Sequence, residues 1–273
     1  HTLFSLDTLQ QADKTGLDVG EANLIVSPEA IGLHKSVSIM AWSPDGRYLA
    51  LSTRGLRLLI MDLQQVTWIT IQLGESASET AANLAWAPDS QRLAVCSSTT
   101  TGRQFCHVYE AATGTRLAEI KINAADGNAV AWSPDGTRLA IGRFGGKGLA
   151  IWEPASGTLV SEFAANSEPL AQVDNVRWLD DNLAFSTLSQ QLVQWDLTSG
   201  IITPVWAKET GTRFDVSWDT NSNRYVIRTE SNKNIDFEFA YYVGDIGTGE
   251  LGPATVIKDV EWRQAQRGTL TIA

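Results

Sequence analysis

The stretch Ala41-Trp42-Ser43-Pro44-Asp45-Gly46 recurs as Ala85-Trp86-Ala87-Pro88-Asp89-Ser90 and as Ala131-Trp132-Ser133-Pro134-Asp135-Gly136, each time followed by two large or polar residues and then Leu-Ala. Degenerate copies continue at Val176-Arg177-Trp178-Leu179-Asp180-Asp181, Val216-Ser217-Trp218-Asp219 and Val260-Glu261-Trp262. Six tryptophans therefore stand 40 to 46 residues apart. A period of that size is the length of one small antiparallel sheet with its connections. Within a period, an apolar-rich segment such as 37–42 or 84–86 runs into Ser-Pro-Asp-Gly, where Pro fixes φ and Asp and Gly accept a tight type I bend. A second strand follows (92–96, 138–141). A third ends in an aromatic or Met plus an acid: Met61-Asp62, Tyr109-Glu110, Trp152-Glu153 and Trp195-Asp196. Turns containing Thr113-Gly114, Ser156-Gly157 or Ser199-Gly200 then lead to a fourth, such as 116–122. No segment carries a helical stripe of useful length.

These in-phase copies resemble the WD-repeat family and, less closely, the TolB-type propellers that carry the same Trp-Ser-Pro-Asp-Gly phrase. The resemblance implies an all-β fold, a β-propeller of about six four-stranded antiparallel blades, with a trimmed seven-bladed propeller as the alternative. The Gly-His pair and the turn Asp of many WD repeats are missing. The His-Asp-Ser/Thr-Trp hydrogen-bond network of that family therefore does not carry over, and stability is expected from a Trp of each repeat wedged against the neighbouring blade. After Trp262 only two strands of a blade fit, and 2–7 aligns with 58–62 as a third strand. A single domain over 1–273 is thus expected, with 1–27 and 257–273 together forming a closing blade and a wrap-around Trp spacing of 53 residues. Closure would remove exposed sheet edges.

Composition narrows the function classes. With 43% hydrophobic residues and 10 Trp the chain can bury a large core, and its formal charge of −10 repels phosphate backbones and anionic lipid. Neither nucleic acid nor membrane is expected as a partner. No run approaches a membrane span, and His1-Thr2-Leu3-Phe4 is not a signal peptide. The sequence reads as a soluble domain excised from a larger protein, with the cytoplasm favoured. Cys96 and Cys106 could face each other across one hairpin; a disulfide is possible there, with two free, half-buried thiols the expected state.

The search for chemistry ends in architecture. Gly142-Arg143-Phe144-Gly145-Gly146-Lys147-Gly148 is one residue short of a phosphate loop and joins two strands, so it reads as a hairpin turn. Asp219, Asn221, Asn223 and Glu230 fit a calcium-loop register, but Arg224 stands where that loop needs Gly and 224–229 reads as strand. His1, His34 and His107 have no metal-ligand spacing, and no nucleophile elbow is present. The carboxylates recur with the blade period, which marks them as structural. No catalytic residue, metal or cofactor is expected. Phe237, Phe239, Tyr241 and Tyr242 form a dense aromatic cluster in the third strand of the fifth blade, after a long polar connection at 230–236.

The resemblance implies a non-enzymatic scaffold that binds a protein or peptide. The alternative is a small-ligand or carbohydrate-binding regulatory propeller attached to an enzyme, and a catalytic propeller using channel-facing carboxylates comes third. In the resembled family the residues six and four positions before each Trp reach the top rim. They are Ser36 and Ser38, Thr80 and Ala82, Asp126 and Asn128, Gln172 and Asp174, Thr212 and Phe214, and Val256 and Lys258. They differ in chemistry from blade to blade, as a recognition surface does. The acidic and amide-rich arc of Asp126, Asn128, Gln172 and Asp174 beside Phe214 points to a ligand with a Lys or Arg next to an apolar group.

Overall fold

In the computed structural model, residues 37–258 are described apart from 54–56, 74–80, 98–104, 123–125, 144–146, 165–172, 189–190, 208–211, 219–223, 234–235, 246–250 and 254. Residues 1–34 and 35–273 make two compact units, and the described residues all lie in the second. The expected closing blade falls outside them, except for Ile257 and Lys258.

Five four-stranded antiparallel sheets follow one another along the chain. The first holds β1 (Val37–Trp42), β2 (Tyr48–Thr53), β3 (Arg57–Asp62) and β4 (Thr67–Gln72); the second holds β5 (Ala81–Trp86), β6 (Arg92–Ser97), β7 (Phe105–Glu110) and β8 (Arg116–Ile120). The third holds β9 (Asp126–Trp132), β10 (Leu139–Arg143), β11 (Leu149–Glu153) and β12 (Thr158–Phe163). The fourth holds β13 (Val173–Trp178), β14 (Leu183–Leu188), β15 (Gln191–Asp196) and β16 (Ile202–Ala207), and the fifth holds β17 (Thr212–Trp218), β18 (Arg224–Lys233), β19 (Asp236–Asp245) and β20 (Thr255–Lys258). In every sheet the strands pair in sequence order, and the first strands β1, β5, β9 and β13 lie side by side from sheet to sheet.

Each feature of the repeated phrase has a mechanical role. In the first turn the Gly46 N–H donates to the Ser43 carbonyl at 2.9 Å, and the Ser43 hydroxyl donates to Asp45 Oδ1 at 2.6 Å while accepting from the Tyr48 N–H at 2.8 Å. Gly46 sits at φ 72° and Gly136 at φ 68°, in the left-handed region. In the first four sheets the acid that closes the third strand bonds to the next turn, the Thr113 and Ser156 hydroxyls donating to Glu110 and Glu153. Asp62 Oδ1 accepts from the N–H groups of Gln64 and Gln65, and Asp196 Oδ1 from those of Thr198 and Ser199. Asp62 and Asp196 thus each hold a turn in place.

The core lies between sheets. Tyr48, Ala50, Leu58 and Ile60 of the first sheet meet Trp86, Leu93, Val95 and Tyr109 of the second. Three tryptophans join neighbours in one pattern: Nε1–H of Trp86, Trp132 and Trp178 donates to the carbonyls of Ala41, Ala85 and Ala131 in the preceding sheet, at 3.0, 3.0 and 3.1 Å. All three side chains are buried, which is the wedge expected from the sequence. Trp42 differs, with 56% of its surface exposed. A residue of the preceding sheet covers each wedged ring. Tyr48 stacks on Trp86 with centroids 5.8 Å apart, and the guanidinium groups of Arg92 and Arg138 lie 4.8 and 5.1 Å from the ring centroids of Trp132 and Trp178.

Several expectations need correction. The segment 230–236 is not a long connection. β18 and β19 continue as a ladder through Ser231↔Glu238, Asn232↔Phe237 and Lys233↔Asp236, leaving two residues between the strands. A two-residue hairpin needs no apolar face, so a polar composition does not prevent pairing. Residues 255–258 are not the start of a sixth first strand; they pair with β19 as the last strand of the fifth sheet. The lengthened β18 and β19 absorb the residues that a repeat of uniform strand length would have passed on. Cys96 and Cys106 face each other across β6 and β7 as expected, but they form a disulfide and are fully buried. One bond of the absent WD network is present, from Trp195 Nε1–H to Ser186 Oγ at 2.6 Å.

Candidate binding surface

The ends of the first strands away from their tryptophans hold the expected rim positions, and there the backbone ladder breaks repeatedly. The β1–β2 register shifts between Val37 and Ile39, β5–β6 between Ala81 and Asn83, and β13–β14 between Val173 and Asn175. Each shift skips one residue: Ser38, Ala82 and Asp174, all four positions before a tryptophan. In β9 the shift is wider, between Gly142↔Ala129 and Arg143↔Asp126, and it contains Asn128. A bulge leaves a residue out of the ladder and bends its strand. The same position is thus released in four consecutive sheets.

The remaining positions divide. Ser36, Thr80 and Gln172 lie outside the described residues. Thr212 and Phe214 are in regular register with Ser231 and Thr229, so the fifth sheet has no such break. Phe214 is half-buried and packs at 5.1 Å from Trp206, which commits part of its ring to the fourth seam. Lys258 pairs with Glu238 in β20 and is not at a strand start. The structure therefore gathers Ser38, Asp126, Asn128 and Asp174 on adjacent first strands and separates Lys258 from them.

Reading the sequence alone missed Arg143. Its side chain is 9% exposed, its backbone stands opposite Asp126 at the end of β10, and its Nη1–H donates to Glu162 at 2.8 Å. The Gly-rich stretch that drew attention for its phosphate-loop likeness does join β10 to β11, with the Arg143 N–H on the Gly148 carbonyl at 2.9 Å. A buried guanidinium at the acidic end of β9 is the chemistry that stretch contains. Its signal in the sequence was a lone Arg between apolar strand and glycines. Asn175 was missed as well: its amide donates to the Val216 carbonyl at 3.1 Å and ties the fourth sheet to the fifth.

Among the described residues no group of three or more His, Cys, Asp or Glu converges as a metal site, and no helix is long and apolar enough to cross a membrane. His107 is buried on β7, with Phe105 stacked at 4.3 Å and the Tyr109 hydroxyl 3.1 Å from Nδ1. Burial holds its pKa below the ordinary histidine value, the Arg116 charge adding to the effect.

No family model matches the chain. An uncharacterised WD repeat-containing protein of Synechocystis is 28% identical over 142 residues, which are 52% of this chain and 39% of that protein. WD repeat-containing protein 1 of Mus musculus is 33% identical over 107 residues, 38% of this chain and 17% of that one. Among solved structures, a chain of the mitotic checkpoint complex superposes with a TM-score of 0.60 at 18% identity over 82% of this chain and 65% of its own length. U3-55K superposes with a TM-score of 0.61 at 9% identity over 81% and 64%. Identities this low show the fold alone. The chain spans less than two thirds of each of these proteins. The consecutive four-stranded antiparallel sheets are thus similar to those of propeller-like solved structures. In sequence, the likeness is to WD repeat-containing proteins.

Proposed function

We propose that this chain is a non-enzymatic platform that binds a protein or peptide on the surface formed by the starts of β1, β5, β9 and β13. The observation that carries the reading is the register break four residues before the tryptophan in four consecutive sheets. A break maintained at one place, while the residue occupying it changes from Ser to Ala to Asn to Asp, supports recognition rather than packing. The tryptophan ends of the same strands hold their chemistry nearly constant, because there the residues serve the seams.

Asp126, Asn128 and Asp174 on neighbouring strands, in a chain of formal charge −10, favour a ligand presenting Lys or Arg, with an apolar neighbour against the free part of Phe214. A peptide array of Lys- and Arg-containing sequences flanked by Leu or Phe, probed with the full chain, supplies the assay. Affinity for the strongest binder is expected to fall between about 50 and 300 mM salt. The double change Asp126→Ala and Asp174→Ala is expected to weaken it at least tenfold, with the melting curve unchanged. Full affinity in a folded double variant would reject this surface.

A further inference from the structure

Cys96 and Cys106 are the only cysteines of the chain, and their disulfide joins residues directly opposite each other on β6 and β7, with Cα atoms 4.0 Å apart. Neither residue exposes any surface. Alternation along the two strands divides their side chains. Leu93, Val95 and Tyr109 pack toward the first sheet, while Ala94, Cys96, Cys106 and Val108 pack toward the third, under Trp132, Leu139 and Ile141. The bridge is therefore inside the second seam. Three large side chains of a sheet made later in the chain cover it.

Thiol–disulfide exchange needs a thiolate to approach a sulfur in line. The covered face leaves no such path while the third sheet is in place. Closing the bond also needs an acceptor for two electrons. One cysteine thiolate attacks a small-molecule disulfide of the glutathione type and expels one thiolate. The second cysteine thiolate then displaces the other, giving the protein disulfide and two small-molecule thiols. Both displacements require open sulfurs.

We infer that the Cys96–Cys106 bond is closed during folding, before the third sheet docks, and is then sealed from exchange, so that this domain matures in an oxidising compartment. That reverses the cytoplasmic expectation drawn from the sequence, because thiol buffers of a reducing cytosol keep open cysteine pairs reduced. The second seam works as a lock whose order of assembly matters. The third sheet preserves whichever redox state it finds.

The test uses the full chain prepared twice in one bacterial host, once in the cytosol and once exported to the periplasm, with thiols blocked by iodoacetamide in denaturant at lysis. Intact mass is expected to show no added label on the exported protein and two labels on the cytosolic one. The exported protein, folded and exposed to millimolar dithiothreitol, is expected to stay oxidised at least a hundredfold longer than the same protein in denaturant. The folding constant of the oxidised form should exceed that of the double variant Cys96→Ala and Cys106→Ala by roughly a hundredfold, as a short closed loop gives. Two labels on the exported protein would overturn the bond. Equal oxidation in both compartments would overturn the compartment, and reduction of the folded protein at the denatured rate would overturn the seal.

Discussion

The three seams between the first four sheets and the single seam between the fourth and fifth are built differently. In the former, a buried indole donates backward to a backbone carbonyl of the preceding sheet, under a Tyr or Arg that the preceding sheet provides. In the latter the described hydrogen bond runs forward, from the Asn175 amide to Val216, and Trp206 packs against Phe214 and Tyr242. The cause is local. The turn Leu179-Asp180-Asp181-Asn182 is two residues shorter than Ser-Pro-Asp-Gly with its following pair, and the position that carries Tyr48, Arg92 and Arg138 disappears. The shortened turn and the forward-running bond belong to the same sheet.

That contrast can be broken most directly at the indoles. Trp132→Ala should cost about 3 to 5 kcal/mol, the loss of a buried aromatic, while Trp42→Ala should cost under ~1.5 kcal/mol because its ring is largely exposed. Urea unfolding of the two variants measures the difference. Equal costs would place a seat for Trp42 in residues outside those described. Gly142→Ala is next, at about 1 to 3 kcal/mol, since a Cβ there would lie 2.7 Å from the Val173 carbonyl in the third seam; a neutral result would show that the third seam can widen. Asn175→Ala should cost about 1 kcal/mol and loosen the fifth sheet before the others. Amide exchange resolves that order, and uniform loosening would refute the separate character of the fourth seam.

Acid should weaken the first two sheets. Hydrogen bonds from Arg47 hold the Asp62 carboxyl below its ordinary pKa, and the Ser43 hydroxyl does the same for Asp45. Groups depressed in the fold contribute stability above their unfolded pKa and lose it as pH falls through the folded value. Burial depresses His107 in the same direction, so its contribution is complete above its unfolded pKa of about 6.5 and declines below it. The urea midpoint should be level near neutrality, decline from about pH 6.5 and drop steeply below about pH 4. His107→Phe should flatten the first decline; a midpoint higher at pH 5.5 than at pH 7.5 would contradict the sign. The smallest effect is expected at Ser90, which takes a glycine's place at φ 59° and accepts from the Asp45 N–H of the neighbouring turn at 3.1 Å. Ser90→Gly should relieve the backbone and lose the bond, changing stability by under ~0.5 kcal/mol by thermal melting.

What the sequence made legible was what repeats. Tryptophan spacing, Pro-Asp-Gly turns and the acids after third strands are short-range patterns, and the strands read at 37–42, 92–96 and 138–141 overlap β1, β6 and β10. Contacts between repeats were hidden, because nothing in the phrase says that Arg92 covers Trp132 or that Ala85 supplies its carbonyl. The fifth sheet defeated the period for a different reason. Its strands lengthen with polar residues, Glu230 to Lys233, which carry no hydrophobic alternation to count. At the rim, the positions of Asp126 and Asp174 could be counted from the tryptophans, but a bulge is a property of two strands together and leaves no mark on one.

The backward direction of the three indole bonds gives the array a polarity. Every such joint pairs two unlike surfaces, a ring on one element and a carbonyl on the element before it, so the contact is heterologous. Heterologous contacts propagate until a rotation brings the last surface to the first, and otherwise continue into open assemblies. Of the four first-strand tryptophans at 42, 86, 132 and 178, Trp42 is the exposed one, and it stands first in the series. A series of this polarity begins on a ring and ends on a carbonyl, so its two ends are chemically unlike.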